Sequence, residues 1–428
     1  MAQSTLIVNT FTNGILGPSA KMLGPIRSGG VIVAHTAPGC WGPMITPEIR
    51  GGHEVTQPVA VEGAEPGDAI MIRILSLQVT SHGTSSGVDT SNSACALGDP
   101  FVAGKCASCG KLWPETVVEG TGADSIRCKD CGAVVNPFSF ASGYTMAFDE
   151  ARRFGLTLPE DRVEEVAKDA ENFSNLPENS IQHSVTVLAP HDLPGLVSRV
   201  QPFLGQLGTC PAVDTPDSHN AGDFGQFLLD APHDYGISAD GLLEVTDGHM
   251  DINRVREGAV LFAPVRLEGG GVYLGDMHAM QGDGEIAGHT ADVAGVAILE
   301  VTLIKKLPIE GPVLLPVPED LPRLSRRLTK DERTAAEQLA KKWNVEIEEN
   351  WPLSFVGTGA NLNDAVDNAL ERAAHLLDMT VEEVKNRTTI AGELQIGRYP
   401  GTVTATFSVP EKNLEALGLL EIVRTQYR

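Results

Sequence analysis

Residues 66–79 read PGDAIMIRILSLQV, a Pro66-Gly67-Asp68 turn leading into the run Ala69–Val79. A tight turn followed by a segment rich in isoleucine, leucine and valine reads as a strand. Comparable runs stand at His183–Leu188, Ala259–Val265 and Gly295–Ile304, separated by clusters of Gly, Pro, Asp and Asn. Short strands punctuated by turns predict antiparallel sandwich or barrel layers rather than alternating βαβ units. The 45 glycines and 27 prolines favour turns and short strands over long helices. At 428 residues the chain has material for two or three compact domains, which excludes a small disulfide-stapled scaffold. Its 42% apolar and 21% charged residues fit a globular protein and neither a disordered nor a fibrous one.

Helical periodicity is confined to a few places. Pro159–Glu171 carries Val163, Val166 and Ala167 at helical spacing behind a proline and reads as a short surface helix. PIEGPVLLPVPEDLP, Pro308–Pro322, reads as a linker or an extended edge segment because of its repeated prolines. Beyond it, Thr329-Lys-Asp-Glu332 is a capping box opening a helix toward Trp343. A second helix from about Asn363 places Val366, Leu370, Ala373 and Leu377 on one face, and Thr380-Val-Glu-Glu383 is a capping box for a third. Val403, Ala405, Phe407 and Val409 alternate in a strand over Thr402–Val409. The expected class is α+β, predominantly β: antiparallel sandwich or barrel layers, an α/β C-terminal segment and an inserted zinc ribbon.

The 56 acidic and 32 basic side chains give a net charge of -24, a field that repels phosphate backbones. The basic cluster Arg323, Arg326, Arg327 and Lys330 is short and reads as solvated surface, so no nucleic-acid partner is expected. No window holds the roughly 20 apolar residues of a membrane span, and Met1–Gly17 lacks the pattern of a signal peptide. The expectation is a cytoplasmic protein without a membrane partner.

Seven cysteines, Cys40, Cys95, Cys106, Cys109, Cys128, Cys131 and Cys210, do not suggest disulfides in such a chain. Four of them spell C-x2-C-x18-C-x2-C in CASCG (Cys106–Gly110) and CKDCG (Cys128–Gly132). Each pair sets two thiolates on a knuckle, the following glycine permits a left-handed turn, and the two knuckles close a tetrahedron around Zn2+. Four thiolates leave no open coordination position, so this zinc is structural. Cys40, Cys95 and Cys210 read as buried small hydrophobes.

Chemistry concentrates in GDMHAMQGDGEIAG, Gly275–Gly288. On an extended backbone Asp276 and His278 share a side, as do Asp283 and Glu285, and Gly282 and Gly284 clear space for a substrate or metal. The other reading is a polar turn with a solvated acidic tip. Asp247-Gly-His-Met-Asp251 and Asp217-Ser-His-Asn220 supply further carboxylates and imidazoles. Metal-assisted hydrolysis needs two or three such ligands with a vacant site for water. His35, His53, His82, His191, His233, His289 and His375 stand alone and read as surface or structural residues. There is no Walker A loop, and GGHEV (Gly51–Val55) and EGGGVY (Glu268–Tyr273) read as turns.

VEGAEPGD at Val61–Asp68, DGHMDINRVREGAVLFAPV at Asp247–Val265 and GDMHAMQGDGE at Gly275–Glu285 resemble, in the same order, the acetamidase/formamidase family. FLGQLGTCPA at Phe203–Ala212 and AGELQIGRYPGTVTATFSVP at Ala391–Pro410 are similar to further blocks of that family. The resemblance implies a cytosolic homo-oligomeric hydrolase of short aliphatic amides. It also implies a sandwich-like amino-terminal part, a barrel-like middle and an α/β closing segment. The corresponding boundaries are 1–100 for the sandwich part, 101–135 for the zinc ribbon, 136–310 for the middle with the polar motifs, and 311–428 for the helix-and-strand segment. The chain departs from the family in carrying His249 where many relatives have asparagine, in a longer Val213–Val245 segment, and in the ribbon.

The expected reaction is hydrolysis of the C–N bond of a formamide- or acetamide-like substrate to a carboxylate and ammonia, assisted by a divalent metal, with Zn2+ as the expected ion. An amide carbonyl is a poor electrophile, so the site needs an activated water, an oxyanion donor and an acid for the departing amine. Glu285 is the expected general acid/base, with Asp283 beside it. Gln281 or a backbone amide of Gly282–Gly284 steadies the oxyanion, and Gly282, Gly284 and His249 contact substrate. Asp251, Asp276 and His278 are the candidate metal ligands or water orienters, with His249 and His219 behind them. Alternatives are a ureido, cyclic-imide or larger amide substrate, or a non-catalytic zinc-ribbon protein that binds a ligand or assembles.

Overall fold

The Ala69–Val79 run is a strand near the middle of a nine-stranded sheet. In spatial order the strands are Thr5–Val8, Gly30–Thr36, Gly295–Ile304, Ala69–Val79, Val260–Pro264, Val313–Leu315, Asn350–Thr358, Thr402–Pro410 and Glu393–Arg398. Only the Thr5–Val8 edge pair is parallel, and every other neighbour is antiparallel. The computed structural model describes residues 4–39, 53–86, 89–91, 94–97, 99–119, 123–135, 138–140, 143–184, 193–217, 244–399 and 401–428.

Alternation along the strands builds a core on each face of this sheet. Ile70, Ile72 and Ile74 join Leu204, Leu207, Leu274 and Met277 from a second sheet, made of Phe203–Thr209, Val272–His278, Val59–Val61 and Leu23–Ile26. Ala69 and Met71 face the other way, into a core with Leu370, Ala373, Val384 and Val423 of the C-terminal helices. The result is sheet on sheet on one side and helices on the other. The sandwich layers agree with the sequence expectation; among the described residues no sheet closes into a barrel, which corrects the barrel-like middle.

The proline-rich Pro308–Pro322 segment is neither linker nor edge. Val313–Leu315 lies inside the nine-stranded sheet, paired with Val260–Pro264 on one side and Asn350–Thr358 on the other. Pro312 and Pro316 fall at its two ends, so no proline breaks its hydrogen bonds. Leu314 enters the first core, Val313 and Leu315 the second. This short strand therefore belongs to both packed layers.

Of the other sequence expectations, the run at His183–Leu188 is irregular at 183–184 and otherwise lies outside the described residues. Helices occupy Glu160–Val166, Lys330–Trp343, Leu362–Leu377 and Val381–Ala391. Thr329 and Glu332 form the full reciprocal capping box. At Thr380 only half of it exists: Thr380 Oγ1 accepts from Glu383 N at 3.1 Å, while the Glu383 carboxylate turns to Arg387. Cys95 and Cys210 are buried, as expected of small hydrophobes, and Cys40 lies outside the described residues.

The ribbon hairpin pairs Thr116–Val118 with Ile126–Cys128. Its knuckles are alike: Gly110 N donates to Cys106 O at 2.9 Å and Gly132 N to Cys128 O at 2.8 Å, with both glycines at φ 72°. The sulfurs of Cys106 and Cys131 lie 3.6 Å apart and those of Cys109 and Cys128 3.9 Å. Zn–S bonds of about 2.3 Å in a tetrahedron require edges of this size. The surrounding bases Lys111, Lys129 and Arg127 pair with Asp130, Glu115 and Glu119.

Because Val313–Leu315 fills both cores, Leu314→Ala and Leu315→Ala should each lower the unfolding free energy by about 2–5 kcal/mol. Urea titration reads this as a lower midpoint. Leu339→Ala, on the exposed face of the Lys330–Trp343 helix, should change it by less than about 0.5 kcal/mol.

Candidate active site

Two neighbouring strands lose their alternation at one level, and this opens the site. On Val272–His278, Val272 and Leu274 face the core, but so do Met277 and the following Ala279. On Phe203–Thr209, Leu204 and Leu207 face it. The switch falls between Gly205 and Asp276, which stand opposite each other, and Asp276 adopts a left-handed φ of 49°. Asp276 and His278 are thereby turned off the core face. The Gly205 carbonyl instead accepts from Met250 N at 2.9 Å and Asp251 N at 3.1 Å, which docks the Asp247–Asp251 segment alongside. Asp247, Asp251 and Glu285 also sit at left-handed φ, of 52°, 51° and 43°. Non-glycine residues in this region carry strain, and such positions cluster at functional sites.

The side chains so placed meet in one buried cluster. His278 Nε2 lies 2.9 Å from Asp276 Oδ1 and 3.2 Å from Asp292 Oδ1. His249 Nε2 lies 3.0 Å from Asp251 Oδ2 and 3.5 Å from Asp276 Oδ2. The His53 ring stands 4.9 Å from that of His249. Arg398, on the last strand of the large sheet, donates through Nη1 to Asp251 Oδ2 and Glu285 Oε2, each at 3.2 Å, and through Nη2 to Gly288 O at 3.5 Å. A Cβ on Gly205 would lie 2.5 Å from Asp251 Oδ1 and 2.6 Å from Asp276 Oδ2, and one on Gly39 only 1.6 Å from Asp276 Oδ1. The carboxylates thus rest on bare backbone.

A surrounding layer fixes the imidazoles. His278 faces acceptors on both nitrogens, since Gln281 Oε1 lies 3.1 Å from Nδ1, so both nitrogens donate and the ring is an imidazolium. Burial opposes that charge, but Asp276 and Asp292 hold the His278 pKa well above its ordinary value. Burial likewise pushes Asp276 upward, yet the adjoining His278, His53 and His249 pull it well below the usual carboxylate range. Glu285 is pushed well above that range, first by burial and then by the charge of Asp251, with Arg398 acting against both. Burial raises Asp292 to about 6. Gln206 gives its amide nitrogen to Asp217 O, so its Oε1 accepts from His53 Nδ1 at 2.8 Å and places the lone pair on Nε2. Asp217 in turn accepts from His53 N and Thr12 Oγ1, both at 2.9 Å.

The cluster is able to hold a cation. Two trios, His53, His249 and Asp276, and Asp251, Asp276 and His278, each have their ligand atoms within 4.8 Å of one another. Asp251 Oδ1 and Glu285 Oε1 are buried without a hydrogen-bond partner among the described residues. An orphaned buried polar atom costs about 1–3 kcal/mol, more when charged, which a bound cation or a substrate group would offset.

The structure thus brings together Glu285, Asp251, Asp276, His278 and His249. Gln281 is adjacent but fully engaged: Nε2 donates to Asp251 O at 2.6 Å and Gly397 O at 3.2 Å, so it braces the site and has no donor left for an oxyanion. Asp283 stands exposed, its carboxylate held by Asn253 at 2.8 Å and Gln395 at 2.9 Å. Residues 282–285 form a turn instead of a strand, so Asp283 and Glu285 part company. Gly282 is exposed on this turn, while Gly284 N is committed to Ile396 O at 2.9 Å. His219 lies outside the described residues. His53, Asp292 and Arg398 were missed; only the two glycines before His53 and the turn-forming sequence after Arg398 mark them.

The family model described as the Acetamidase/Formamidase family matches residues 40–233 and 243–415. A formamidase from Methylophilus methylotrophus is 40% identical over 76 residues, 17% of this chain and 19% of that protein, so the match spans about a fifth of that relative's length. Among solved structures, a predicted acetamidase/formamidase from Thermoanaerobacter tengcongensis aligns at a TM-score of 0.53 and 18% identity, covering 98% of this chain and 99% of that one. An acetamidase from Yersinia enterocolitica aligns at 0.53 and 17%, covering 97% and 93%. At these identities the structures establish the shared fold.

Asp276 is common to both trios. Asp276→Asn should therefore release the cluster's cation and leave that of the ribbon, so that metal analysis of purified protein falls by about one equivalent per chain. Equal metal content in the parent and Asp276→Asn proteins would exclude this cluster as a metal site.

Proposed function

Because the chain belongs to the acetamidase/formamidase family, we propose that its buried carboxylate–imidazole cluster hydrolyses the C–N bond of a short linear amide, releasing a carboxylate and ammonia. The observation that carries this reading is the meeting of Glu285, Asp251, Asp276, His278 and His249 from separate segments of the chain in one buried cluster. Glu285 is the proton carrier. Its Oε2 is anchored by Arg398, and Oε1 is the oxygen without a partner among the described residues. As a carboxylate it takes a proton from the attacking water; with its pKa lifted by burial, it returns that proton readily to the nitrogen that departs. Asp251 and Asp276 orient the water, and His278 neutralises Asp276. Arg398 keeps the neighbouring charges of Asp251 and Glu285 compatible.

A divalent cation, with Zn2+ as our choice, would be held by His53, His249 and Asp276, or by Asp251, Asp276 and a His278 that has given up its Nε2 proton to the exchange, and would supply Lewis acidity and a more acidic bound water. We assign a second, structural zinc to Cys106, Cys109, Cys128 and Cys131.

Parent protein should release ammonia from formamide or acetamide, and Glu285→Gln, which keeps the shape but not the proton transfer, should lower kcat by about 10²–10⁴-fold. An equally fast Glu285→Gln protein would remove Glu285 from the chemistry. The Cys109→Ser,Cys131→Ser double variant should lose the ribbon's zinc while the cluster keeps its metal, as read by metal analysis after mild chelation.

A further inference from the structure

One buried histidine beside this site has no part in the mechanism above. His289 is 7% exposed and follows Gly288, whose carbonyl Arg398 contacts. Its Nδ1 is hydrogen-bonded to Ser85 Oγ, itself fully buried. Ser85 adjoins Thr84, which bridges Asp292, and Asp292 faces His278. The Tyr144 ring stands 5.9 Å from the His289 ring, and its hydroxyl lies beside Ser85 and Thr290. The pair is therefore built into the wall of the cluster, on the loop that carries Glu285.

Three observations give this imidazole a task. Its Nε2 is buried with no hydrogen-bond partner among the described residues. Burial first, then the charges of Arg398 and His278, push its pKa down to about 4, so the ring is neutral near pH 7. Among the described side chains placed at the site above, both amide protons of Gln281 are taken by carbonyls and Arg398 Nη1 is held on carboxylates, so neither is aimed at an oxyanion. Either atom of the Ser85–His289 pair can be the donor; with Ser85 donating to Nδ1, the neutral ring carries its proton on Nε2, and such a group can polarise a carbonyl without giving the proton up.

We propose that His289 is a further catalytic residue, its Nε2–H donating a hydrogen bond to the substrate's carbonyl oxygen and to the oxyanion that develops there, with Ser85 as the positioning residue that fixes the tautomer. This rests on the amide-hydrolase reading. No covalent bond to His289 forms, and the proton stays on Nε2 throughout.

The test is ammonia release from formamide, acetamide and propionamide by the metal-loaded parent and by His289→Ala, His289→Gln and Ser85→Ala proteins with parental circular dichroism. His289→Ala should lose about 10²–10³-fold in kcat with KM little changed, the pattern of a contact made in the transition state. His289→Gln, which returns an N–H donor near the same place, should recover at least about tenfold of that loss. Ser85→Ala keeps the ring but frees its tautomer and should lower kcat by a smaller factor, which carries the test should His289→Ala fail to fold. An active parent with an equally active His289→Ala, a loss confined to KM, or no rescue by glutamine overturns the donor role alone. A parent that hydrolyses none of the amides overturns the hydrolase reading and this role together.

Discussion

Four carboxylates, Asp251, Asp276, Glu285 and Asp292, are packed where water does not reach, and their mutual repulsion is the constraint the rest of the molecule answers. Two unit charges 4 Å apart repel by about 4 kcal/mol at an effective dielectric constant of 20, so the group cannot all ionise without counter-charge. Arg398 supplies one positive charge between Asp251 and Glu285, and the imidazolium of His278 supplies another between Asp276 and Asp292. What remains is an excess of negative charge that favours a cation or a shared proton. Both are useful in cleaving an amide, and neither is a product of local sequence.

The geometry that holds this charge is backbone geometry. Asp276 leaves the core face because its own φ is left-handed, and Gly205 opposite has no side chain to obstruct the carboxylates. The outer contacts are polar and specific: Gln206 on His53, Gln281 between His278 and two carbonyls, Asn253 and Gln395 on Asp283. Asp283 thus serves the turn that aims Glu285. Pinning side chains from outside in this way keeps a site within the tolerance catalysis needs.

Much of this was legible in the chain. Strand patterning located the sandwich, the C-x2-C pairs located the ribbon, and Gly275–Gly288 held two of the four clustered carboxylates, Asp276 and Glu285. Period-2 reasoning put Asp276 and His278 on one side, and they are; it put Asp283 with Glu285, and a turn separates them. Pro308–Pro322 reads as a linker or an extended edge segment when its prolines are counted without asking where three residues could pair between them. His53, Asp292 and Arg398 are single polar residues without a periodic neighbour, joined to the site only by contacts with segments distant in the chain. No local pattern encodes a contact between positions 251 and 398.

That separation along the chain has a consequence for how the protein is made. Domains begin to fold while the ribosome is still adding about 5–20 residues each second. Nearly every acid and imidazole of the pocket has emerged before Glu393–Arg398 is synthesised, yet the guanidinium that reconciles two of those acids arrives only with that strand. A nascent chain therefore lacks the counter-charge of Asp251 and Glu285 until its final sheet strands dock, and the same docking that supplies it completes the sheet.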